Sequence, residues 1–500
     1  MSTSTEQILT AWQNFFETPL HDQLKRHLHV NTETHLLALI QSAIQTVPAY
    51  RTFLTTHGIK PEEINSIDDF RRLPLMTKQN YMHAYSLEER CRNGEISSSD
   101  MLAVSSGSTG TPMIWPRNVL HELDIAFRFE QLFQVFLADQ RSTLAVVCFA
   151  MGSWVGGMYT AACCRHLAAK GYPITTVTPG NKKEEILRIV KELGPYYTQI
   201  VLLGYPPYIK DIIDSGRTEG IVWSRYQPKL VFAGEVFSEE WRELMCERIG
   251  AADPATATAS LYGTADGGVL GNETPLSIRI RKFFASRPEL ARNVFGESRL
   301  PSLVQYDPIS RYFEVHNGTL VVSGDNGVPL LRYHIADKGG IISYEEMTRI
   351  IADAGDDQAR EILRSNERGV WNLPFVYLFG RADFTVSYFG ANIYPENISV
   401  GLEQKEVRNW VSGKFVLEVV ETADRNEALN LAVELLPGIA GDETMCKTIA
   451  DSVVIELRRL NSEFANYVPP EFQTPLVTLK SHGDPEWFPI GVKHRYTRKA

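Results

Sequence analysis

The segment SSGSTGTP at residues 105–112 has the composition of a phosphate-binding loop. It follows the apolar residues 101–104 and combines two glycines with five hydroxyl side chains. Small residues let the backbone approach an anion, and main-chain amides and hydroxyls donate to phosphate oxygens. The segment lacks the lysine of a Walker A loop. Taken alone, it could also be a flexible Ser/Gly/Thr turn.

Further segments follow this loop in chain order: AGE (233–235), LYGTAD (261–266), LRYHIAD (331–337) and GRADFTVSYFGANIYPENI (380–398). With the loop, they resemble the ordered motifs of the adenylate-forming superfamily, which includes acyl-CoA synthetases, luciferases and peptide-synthetase adenylation domains. Residues 35–81, with VPAY and LPLMTK, resemble the phenylacetate–CoA ligase branch of that superfamily. Five motifs in the expected order make the resemblance specific.

The resemblance implies an ATP site. Tyr262 would lie against adenine, for which an aromatic ring is a stacking surface. Asp337 could accept hydrogen bonds from both ribose hydroxyls. A core tyrosine and a turn-capping aspartate are the alternatives for these two residues. The implied nucleotide-binding residues are Ser105, Ser106, Gly107, Ser108, Thr109, Gly110, Thr111, Gly234, Glu235, Tyr262, Gly263, Asp337 and Arg381.

Asp266 is the implied ligand of Mg²⁺, since a hard carboxylate oxygen suits an ion shared with ATP phosphates. The family usually has glutamate at this position and a hydroxyl residue just before it. This chain has Ala265 before the acid, so Thr264 is the candidate for the contact with the α-phosphate. A further departure is Ala336, where the family usually has glycine.

The family's catalytic lysine lies near the C-terminus, where it balances negative charge as a carboxylate oxygen attacks the α-phosphorus. Here Lys493 stands one residue late relative to the family pattern, and Lys499 is a second candidate. Either could instead be a solvated tail lysine. Asp383 matches the hinge about which the family's C-terminal domain rotates. The family often has a second acid after the hinge, where Phe384 stands.

The acid pocket, by resemblance, lies between the βα loops and the turn before Tyr262. The residues on these segments are Trp154, Gly156, Gly157, Tyr205, Phe232 and Ala233. Aromatic and glycine neighbours indicate a flat or compact acid. Trp154 and Tyr205 could equally be core residues.

Strands and helices must position these residues, and a clear alternation begins after residue 140. Apolar runs that predict buried strands occur at 144–149, 174–179, 199–206 and 229–235. Amphipathic stretches that predict helices occur near 158–169, 182–193, 207–214 and 238–249. Continuous apolar strands joined by crossover helices indicate an α/β fold with a mostly parallel sheet and helices on both faces. Residues 34–90 are predicted to be helical.

The chain is long enough for two domains, since 500 residues exceed what one core usually supports. Beyond residue 380 the pattern changes to a predicted α+β unit, with a hairpin from 414–422 and 429–437 and a helix near 443–466. We therefore expect a large nucleotide- and carboxylate-binding domain at 1–380. A small mobile lid domain at 381–500 follows, with its hinge near Asp383.

The net charge of −10 argues against nucleic acid as a partner, because binding it needs a concentrated basic face. The N-terminus lacks a secretory signal, and the most apolar window, 144–159, is too short to span a bilayer. Six cysteines show no CxxC pair. The expected location is the cytoplasm. Family members are often dimers, so a homodimer is an alternative to a monomer for this chain.

These motifs predict an ATP- and Mg²⁺-dependent ligase that converts a small carboxylic acid to its acyl-AMP and releases pyrophosphate. The acyl group would then pass to a thiol, by resemblance most often that of coenzyme A. An amide-forming or carrier-protein-loading ligase is one alternative. A degenerate relative that binds a nucleotide without turnover is another, because of Ala265, Ala336, Phe384 and the shifted lysine.

Overall fold

The computed structural model describes residues 5–104, 113–297, 299–364, 368–381, 386–389, 391–421, 427–461, 464–465, 468–489, 494 and 496–497. The α-helices are α1 (Thr5–Glu17), α2 (Leu20–His29), α3 (Thr32–Thr46), α4 (Pro48–Thr56), α5 (Ile67–Arg71), α6 (Leu87–Arg90), α7 (Val119–Val135), α8 (Val155–Ala169), α9 (Lys183–Leu193), α10 (Pro206–Thr218), α11 (Glu239–Ile249), α12 (Pro254–Ala257), α13 (Pro275–Ala285), α14 (Pro288–Phe295), α15 (Tyr344–Ala354), α16 (Asp357–Arg364), α17 (Pro395–Leu402) and α18 (Glu443–Leu460). Within these ranges, no helix has both the length and the apolar character that crossing a membrane requires.

The strands are β1 (Met101–Val104), β2 (Ile114–Arg117), β3 (Thr143–Val147), β4 (Ile174–Val177), β5 (Gln199–Gly204), β6 (Lys229–Ala233), β7 (Thr258–Thr264), β8 (Gly268–Asn272), β9 (Ser302–Gln305), β10 (Tyr312–His316), β11 (Thr319–Gly324), β12 (Leu330–Ile342), β13 (Phe375–Arg381), β14 (Val386–Tyr388), β15 (Ala391–Ile393), β16 (Val411–Glu421), β17 (Glu427–Leu435) and β18 (Leu476–Lys480). One large sheet has the order β10-β11-β12-β13-β9-β8-β7-β6-β5-β3-β4.

The half of this sheet from β4 to β7 is parallel. A parallel connection needs a crossover, and α8, α9, α10 and α11 supply the successive ones. All residues of β3 and β5 are buried, as expected for strands covered on both faces. The predicted alternation of strands and helices is therefore confirmed.

Helices cover both faces of the parallel half. On one face, Phe133 of α7 and Leu167 of α8 belong to a buried apolar cluster with β3 and β5. On the other face, Ile186 of α9, Ile213 of α10 and Trp241 of α11 belong to a second cluster with the same strands. The predicted α/β class is confirmed.

The remaining strands, from β8 to β10 in sheet order, are antiparallel to their neighbours, beginning with the pairing of β8 with β7. The parallel order predicted for the sheet therefore covers only the strands between residues 143 and 264. Short connections join only some of these strands, whereas α13 and α14 lie between β8 and β9, and α15 and α16 lie between β12 and β13. Asn317 and Gly318, with φ of 50° and 74°, join β10 to β11 as a two-residue hairpin turn.

The helical region before β1 is joined to β12 through Met76. Its amide donates to the carbonyl of Arg332 at 3.0 Å, and its carbonyl accepts from the amide of His334 at 2.9 Å. Ile40 of α3 and Phe53 of α4 share a buried cluster with β12. Residues 34–90 are mainly helical, as predicted.

Residues from Val386 onward surround a core of their own, which we call the C-terminal unit. It contains the hairpin β14–β15, helix α17, helix α18 and a sheet of order β16-β17-β18. The predicted hairpin and long helix are present, and the helix ends at Leu460. The predicted boundary at 380/381 falls at the end of β13, which still belongs to the large sheet.

Polar contacts join the C-terminal unit to the rest of the chain. The hydroxyl of Ser238, at the start of α11, donates to the carboxyl group of Glu403, at the end of α17. The ammonium group of Lys210 donates to the carbonyl of Val411 at 3.1 Å. These contacts attach α17 and β16 to helices α10 and α11 beside the large sheet.

Candidate functional site

The carboxyl ends of β3, β5, β6 and β7 meet at one edge of the large sheet, because these strands are parallel neighbours. The segments beyond three of them carry Tyr205, Glu235 and Asp266. The hairpin β1–β2 is attached at the same edge, since the amide of Val104 donates to the carbonyl of Ser153 at 2.9 Å. Val104 is the residue before the predicted phosphate loop. The flank of that loop therefore lies beside the strand ends.

Two tyrosine–aspartate pairs link the motifs LYGTAD and LRYHIAD. The hydroxyl of Tyr262 donates to Oδ2 of Asp337 at 2.7 Å. The hydroxyl of Tyr333 donates to Oδ2 of Asp266 at 2.5 Å. All of these side chains are buried, with at most 7% exposure. Each motif thus gives its tyrosine to the aspartate of the other motif, although β13, β9 and β8 separate β7 from β12 in the sheet.

The turn that carries Asp266 is held by hydrogen bonds to its main-chain carbonyls and amides. Arg117 of β2 is buried, and its Nη2 donates to the carbonyls of Ala265 at 2.5 Å and Asp266 at 2.8 Å. Oγ1 of Thr264 accepts from the amide of Gly267 at 2.9 Å, so this hydroxyl keeps its own proton to donate elsewhere. The turn is fixed without using the carboxylate of Asp266.

Lys78 and Arg117 are site residues that the sequence analysis did not single out. Nζ of Lys78 lies 3.7 Å from Oδ2 of Asp266, which gives this carboxylate a cationic neighbour. Lys78 ends the segment LPLMTK, so its place in a family-like segment was an available signal. Arg117 gave no signal, because its partners are main-chain carbonyls about 148 residues away.

Strand β12 bends just before Asp337. Ala336 has a φ of 64°, in the left-handed region that glycine adopts more readily than any other residue. This geometry explains why a glycine suits the position before the aspartate. From Asp337 onward the strand pairs with β13, where Arg381 is its register partner. Two of the predicted nucleotide residues are therefore backbone neighbours.

Glu235 follows β6 after a turn at Gly234, whose φ is 86°. A Cβ at Gly234 would come within 2.8 Å of the ring of Tyr205, so a larger residue would displace this ring. Oε2 of Glu235 accepts a hydrogen bond of 2.7 Å from the hydroxyl of Tyr496. Burial, followed by the charge of Glu235, raises the pKa of Tyr205. Gly234 and Glu235, from the predicted nucleotide site, thus adjoin Tyr205 of the predicted acid pocket.

The other predicted pocket residues separate into two groups. Trp154 is 41% exposed and is the N-cap residue of α8, and a Cβ added at Gly156 in the first turn would meet no atom within 4 Å. Ala233 and Tyr205 pack against the same apolar cluster, on the face of α7 and α8. These residues border open space or each other at the carboxyl edge.

Phe232 lies elsewhere. Its side chain is fully buried, and its ring centroid is 5.1 Å from those of Phe237 and Trp241, on the face of α9 to α11. Consecutive side chains of a strand point to opposite faces, so Phe232 and Ala233 diverge. Phe232 is a core residue in this arrangement rather than a neighbour of Tyr205.

Several predicted residues lie outside the part of the chain that the structure describes. They are the loop at 105–112, the hinge residue Asp383 and both candidate catalytic lysines, Lys493 and Lys499. Gly263 is described, and it lies in β7 between Tyr262 and Thr264. The structure thus joins Tyr262 to Asp337 and Tyr333 to Asp266, and it places Glu235 and Tyr205 at the same edge of the large sheet.

Sequence comparison finds the phenylacetate-coenzyme A ligase of Escherichia coli, which is 20% identical to this chain over 411 residues. The match covers 79% of this chain and 80% of that ligase. No model of a protein family matches the chain.

Structural comparison finds 2-hydroxyisobutyryl-CoA ligase in its postadenylation state in complex with 2-HIB-AMP. The TM-score is 0.66 at 15% identity, over 93% of this chain and 88% of the other. The fold is that of the adenylate-forming CoA ligases. The same ligase with 2-HIB-AMP and CoA, in its thioesterification state, gives a TM-score of 0.53 at 15% identity, over 97% of this chain and 91% of the other.

These comparisons confirm the resemblance that the motifs predicted. The enzymes found are CoA ligases of the adenylate-forming type, and the sequence match is to the phenylacetate–CoA ligase branch. In this chain the Tyr–Asp pairs lie at the carboxyl edge of the large sheet. A smaller sheet comes after the large one in the sequence.

Proposed function

We propose that this chain is an ATP-dependent adenylate-forming ligase that activates a small carboxylic acid. A carboxylate oxygen of the acid attacks the α-phosphorus of ATP, the bond to the β-phosphate oxygen breaks, and pyrophosphate leaves. The product is the acyl-AMP. The sulfur of a thiol then bonds to the acyl carbon, the bond from that carbon to the phosphate oxygen breaks, and AMP leaves; coenzyme A is the proposed acceptor.

The observation that carries this proposal is the reciprocal contact between LYGTAD and LRYHIAD. It holds two buried carboxylates, Asp266 and Asp337, at defined positions beside the strand ends. A site with fixed polar groups at the carboxyl edge of an α/β sheet suits a nucleotide. A fold shared with acyl-AMP-bound ligases supports the same reaction.

Asp337 is the proposed ribose ligand. Its Oδ2 already accepts from Tyr262, and a carboxylate has lone pairs for further donors. The ring of Tyr262 is then the proposed stacking surface for adenine, and the loop at 105–112 is the proposed binding site for the phosphates. Lys493 is the proposed cation that balances charge during attack on the α-phosphorus, with Lys499 as the alternative.

Asp266 is the proposed protein ligand for Mg²⁺. Among the described residues, no group of three or more His, Cys, Asp or Glu side chains could hold a metal. A single carboxylate fits Mg²⁺, which keeps several waters and binds largely through substrate phosphates. When bound, the ion would neutralise charge on those phosphates. Lys78 and Tyr333 hold the carboxylate in place for this role.

The acid would bind beside Tyr205, between the turn at Gly234 and the start of α8. Trp154, Gly156 and Ala233 complete this proposed pocket. The close approach of Tyr205 to Gly234 leaves little room there, which supports a compact acid. We assign Phe232 to the core instead.

ATP–pyrophosphate exchange tests the first half-reaction. The full chain is assayed with Mg²⁺ and a panel of aryl, arylacetic, amino and short aliphatic acids, beside Asp337→Ala, Lys493→Ala and Lys499→Ala. We expect exchange with one class of acid, at least about 100-fold lower in the Asp337 and Lys493 variants. An equal loss in Lys499→Ala alone would reassign the lysine.

The absence of exchange with every acid, from folded protein that still binds ATP, would overturn the proposal in favour of a binding protein. The acceptor is identified separately. Preformed acyl-AMP is supplied with coenzyme A or with amines, and the product is identified by mass. A thioester supports the proposed second step, whereas an amide would assign the chain to amide-forming ligases.

A further inference from the structure

A second buried arginine holds the turn that carries Asp266. Arg311, just before β10, is 2% exposed, and its Nη2 donates to the carbonyl of Gly267 at 3.1 Å. Arg117 binds the two preceding carbonyls, so three successive carbonyls of this turn accept from guanidinium groups. Because each peptide unit is planar, fixing its carbonyl also fixes the direction of its amide. The orientation of the main chain around Asp266 is therefore set by the two arginines.

Arg311 is itself held by α7 and by a neighbouring loop. Its Nη1 donates to Oδ2 of Asp124 at 3.0 Å, and the hydroxyl of Ser310 donates to the same oxygen at 2.8 Å. Its Nη2 also donates to Oδ1 of Asn326, in the connection between β11 and β12, at 3.3 Å. The donors of a guanidinium group have a rigid planar arrangement, so contacts with two segments determine where the group meets the third.

Close packing supports both ends of this link. Gly268 has a φ of 71°, and a Cβ there would come within 2.8 Å of Cδ1 of Ile125 in α7. A Cβ at Gly324 would lie 3.0 Å from Cδ of Arg311. The turn therefore packs directly on α7, and the aliphatic part of the arginine has a close neighbour of its own.

We infer that Arg311 is a positioning residue for Asp266, because it connects the turn that presents the proposed Mg²⁺ ligand to Asp124 of α7. The inference rests on the proposed function, and it assigns no contact with ATP or Mg²⁺ to Arg311. Mg²⁺ requires nearly ideal octahedral geometry, so a carboxylate on a loosened turn binds the ion less well. Partners that orient a metal ligand typically change the metal affinity by about 10- to 100-fold.

The test measures Mn²⁺ binding by electron paramagnetic resonance in the complex of the full chain with α,β-methylene-ATP, which cannot release pyrophosphate. Mn²⁺ is the probe because the same oxygen ligands suit Mn²⁺ and Mg²⁺. We expect Arg311→Met to raise the dissociation constant of Mn²⁺ about 10-fold, and the Mg²⁺ concentration for half-maximal exchange by a similar factor. Arg311→Lys keeps the cation but loses the planar set of donors, so its effect should be intermediate.

Arg281→Met is the matched control. Arg281 is 4% exposed, donates to the carbonyls of Pro301 and Phe237 at 2.8 and 2.7 Å, and pairs with the carboxyl group of Glu239. It thus has the same kinds of partner as Arg311, but in other segments. Its replacement should lower the free energy of unfolding while leaving the dissociation constant of Mn²⁺ within about twofold of wild type.

A double-mutant cycle tests the link to α7. Asp124→Ala should weaken Mn²⁺ binding less than Arg311→Met does, and adding it to Arg311→Met should change the affinity little further. The side chain of Asp124 is 30% exposed, so this variant provides the test even if Arg311→Met does not fold. Wild-type Mn²⁺ affinity in Asp124→Ala and in Arg311→Lys would overturn the inference, as would full additivity of the Asp124 and Arg311 losses.

The two proposals fail in different ways. In each of the outcomes that overturn the inference, the proposed function stands if the wild-type protein catalyses exchange. If the wild type binds Mn²⁺ with the nucleotide but catalyses no exchange with any acid, the proposed function is overturned and the positioning of Asp266 is still decided by the variants. If the wild type binds no Mn²⁺ in the nucleotide complex, the inference is overturned.

Discussion

The hydroxyl of Tyr262 donates a 2.7 Å hydrogen bond to Asp337, two residues that sequence motifs assign separately to adenine and to ribose. The two assignments are therefore parts of one structural unit. Its counterpart, Tyr333 with Asp266, links the same two segments in the opposite direction. The pattern Tyr-x-x-Ala-Asp occurs in both segments, and each copy completes the other.

Removing the hydroxyl of Tyr262 should affect the use of ATP, whereas removing that of Tyr333 should affect the use of Mg²⁺. In Tyr262→Phe the ring remains but Asp337 loses a donor, so we expect KM for ATP to rise about 10-fold. In Tyr333→Phe the orientation of Asp266 is released, so the Mg²⁺ concentration needed for half-maximal exchange should rise instead. Exchange titrated separately with ATP and with Mg²⁺ checks this.

Tyr81→Phe is the control for this pair. Tyr81 is also a buried tyrosine, but its hydroxyl has no hydrogen-bond partner among the residues described. Its replacement should leave both titrations unchanged. If Tyr262→Phe and Tyr333→Phe shifted both titrations equally, the division of roles between the two carboxylates would be wrong.

Glycine at position 336 should stabilise the protein. Ala336 has a φ of 64°, a conformation that costs a non-glycine residue about 1–2 kcal/mol. The greater freedom of glycine in the unfolded chain offsets about 0.4–1 kcal/mol of that gain. We expect Ala336→Gly to raise the free energy of unfolding by about 0.5–1 kcal/mol, measured by urea denaturation.

Ala162→Gly, in the interior of helix α8, is the matched control. Glycine in a helix interior costs about 1 kcal/mol relative to alanine, so this variant should be destabilised. Destabilisation of similar size in both variants would contradict the role of the positive φ at residue 336.

Arg117 should be important for the turn that carries Asp266. Arg117→Met keeps the volume of the side chain but leaves the carbonyls of Ala265 and Asp266 without their donor. We expect a loss of about 2–4 kcal/mol in the free energy of unfolding, and a higher Mg²⁺ concentration for half-maximal exchange. Thermal and urea denaturation measure the first effect.

The comparison variant is Arg71→Met. Arg71 is half-exposed and pairs with Asp68 on the surface, so its replacement should cost less than about 1 kcal/mol. Equal losses in the two variants would show that the hydrogen bonds to the turn contribute nothing specific.

Glu403 should make the protein less stable as the pH rises. Burial raises the pKa of this carboxyl group from 4.5 to about 8, so the folded state holds a proton that the unfolded state has released between these values. The stabilisation is fully present below about pH 4.5 and is lost toward pH 8. The free energy of unfolding should fall by up to about 1.4 kcal/mol per pH unit in this window.

Urea denaturation at several pH values within that window tests the assignment. Glu403→Gln keeps the shape and accepts from Ser238 without titrating, so its stability should depend less on pH than that of the wild type. Parallel curves for the two proteins would exclude Glu403 as the source. The charged groups near it, Glu240, Lys210 and Arg281, remain present in both.

The sequence predicted the parallel half of the sheet well, because strands buried on both faces leave continuous apolar runs such as 199–204. The antiparallel half gave no such signal. In β10, for example, only Phe313 is buried, so the run Tyr312–His316 does not read as a core strand. The order of strands β8 to β13 depends on contacts that local patterns do not encode.

The motifs name candidate site residues one by one, but they do not predict how these residues are arranged. The Tyr–Asp pairs join residues 75 and 67 positions apart, and no local pattern reports such a contact. Phe232 was predicted to line the pocket because it is next to Ala233 in the sequence. However, consecutive side chains of a strand point to opposite faces of the sheet, so these two residues do not line the same side.

The attachment of Met76 to β12 also constrains how the chain folds as it leaves the ribosome. The amide of Leu331 contacts the sulfur of Met76 across 255 positions of sequence. At a synthesis rate of 5–20 residues per second, that stretch takes roughly 13 to 51 s to translate. The N-terminal helices spend this interval without their permanent partner, and their apolar faces are open to chaperones until β12 emerges.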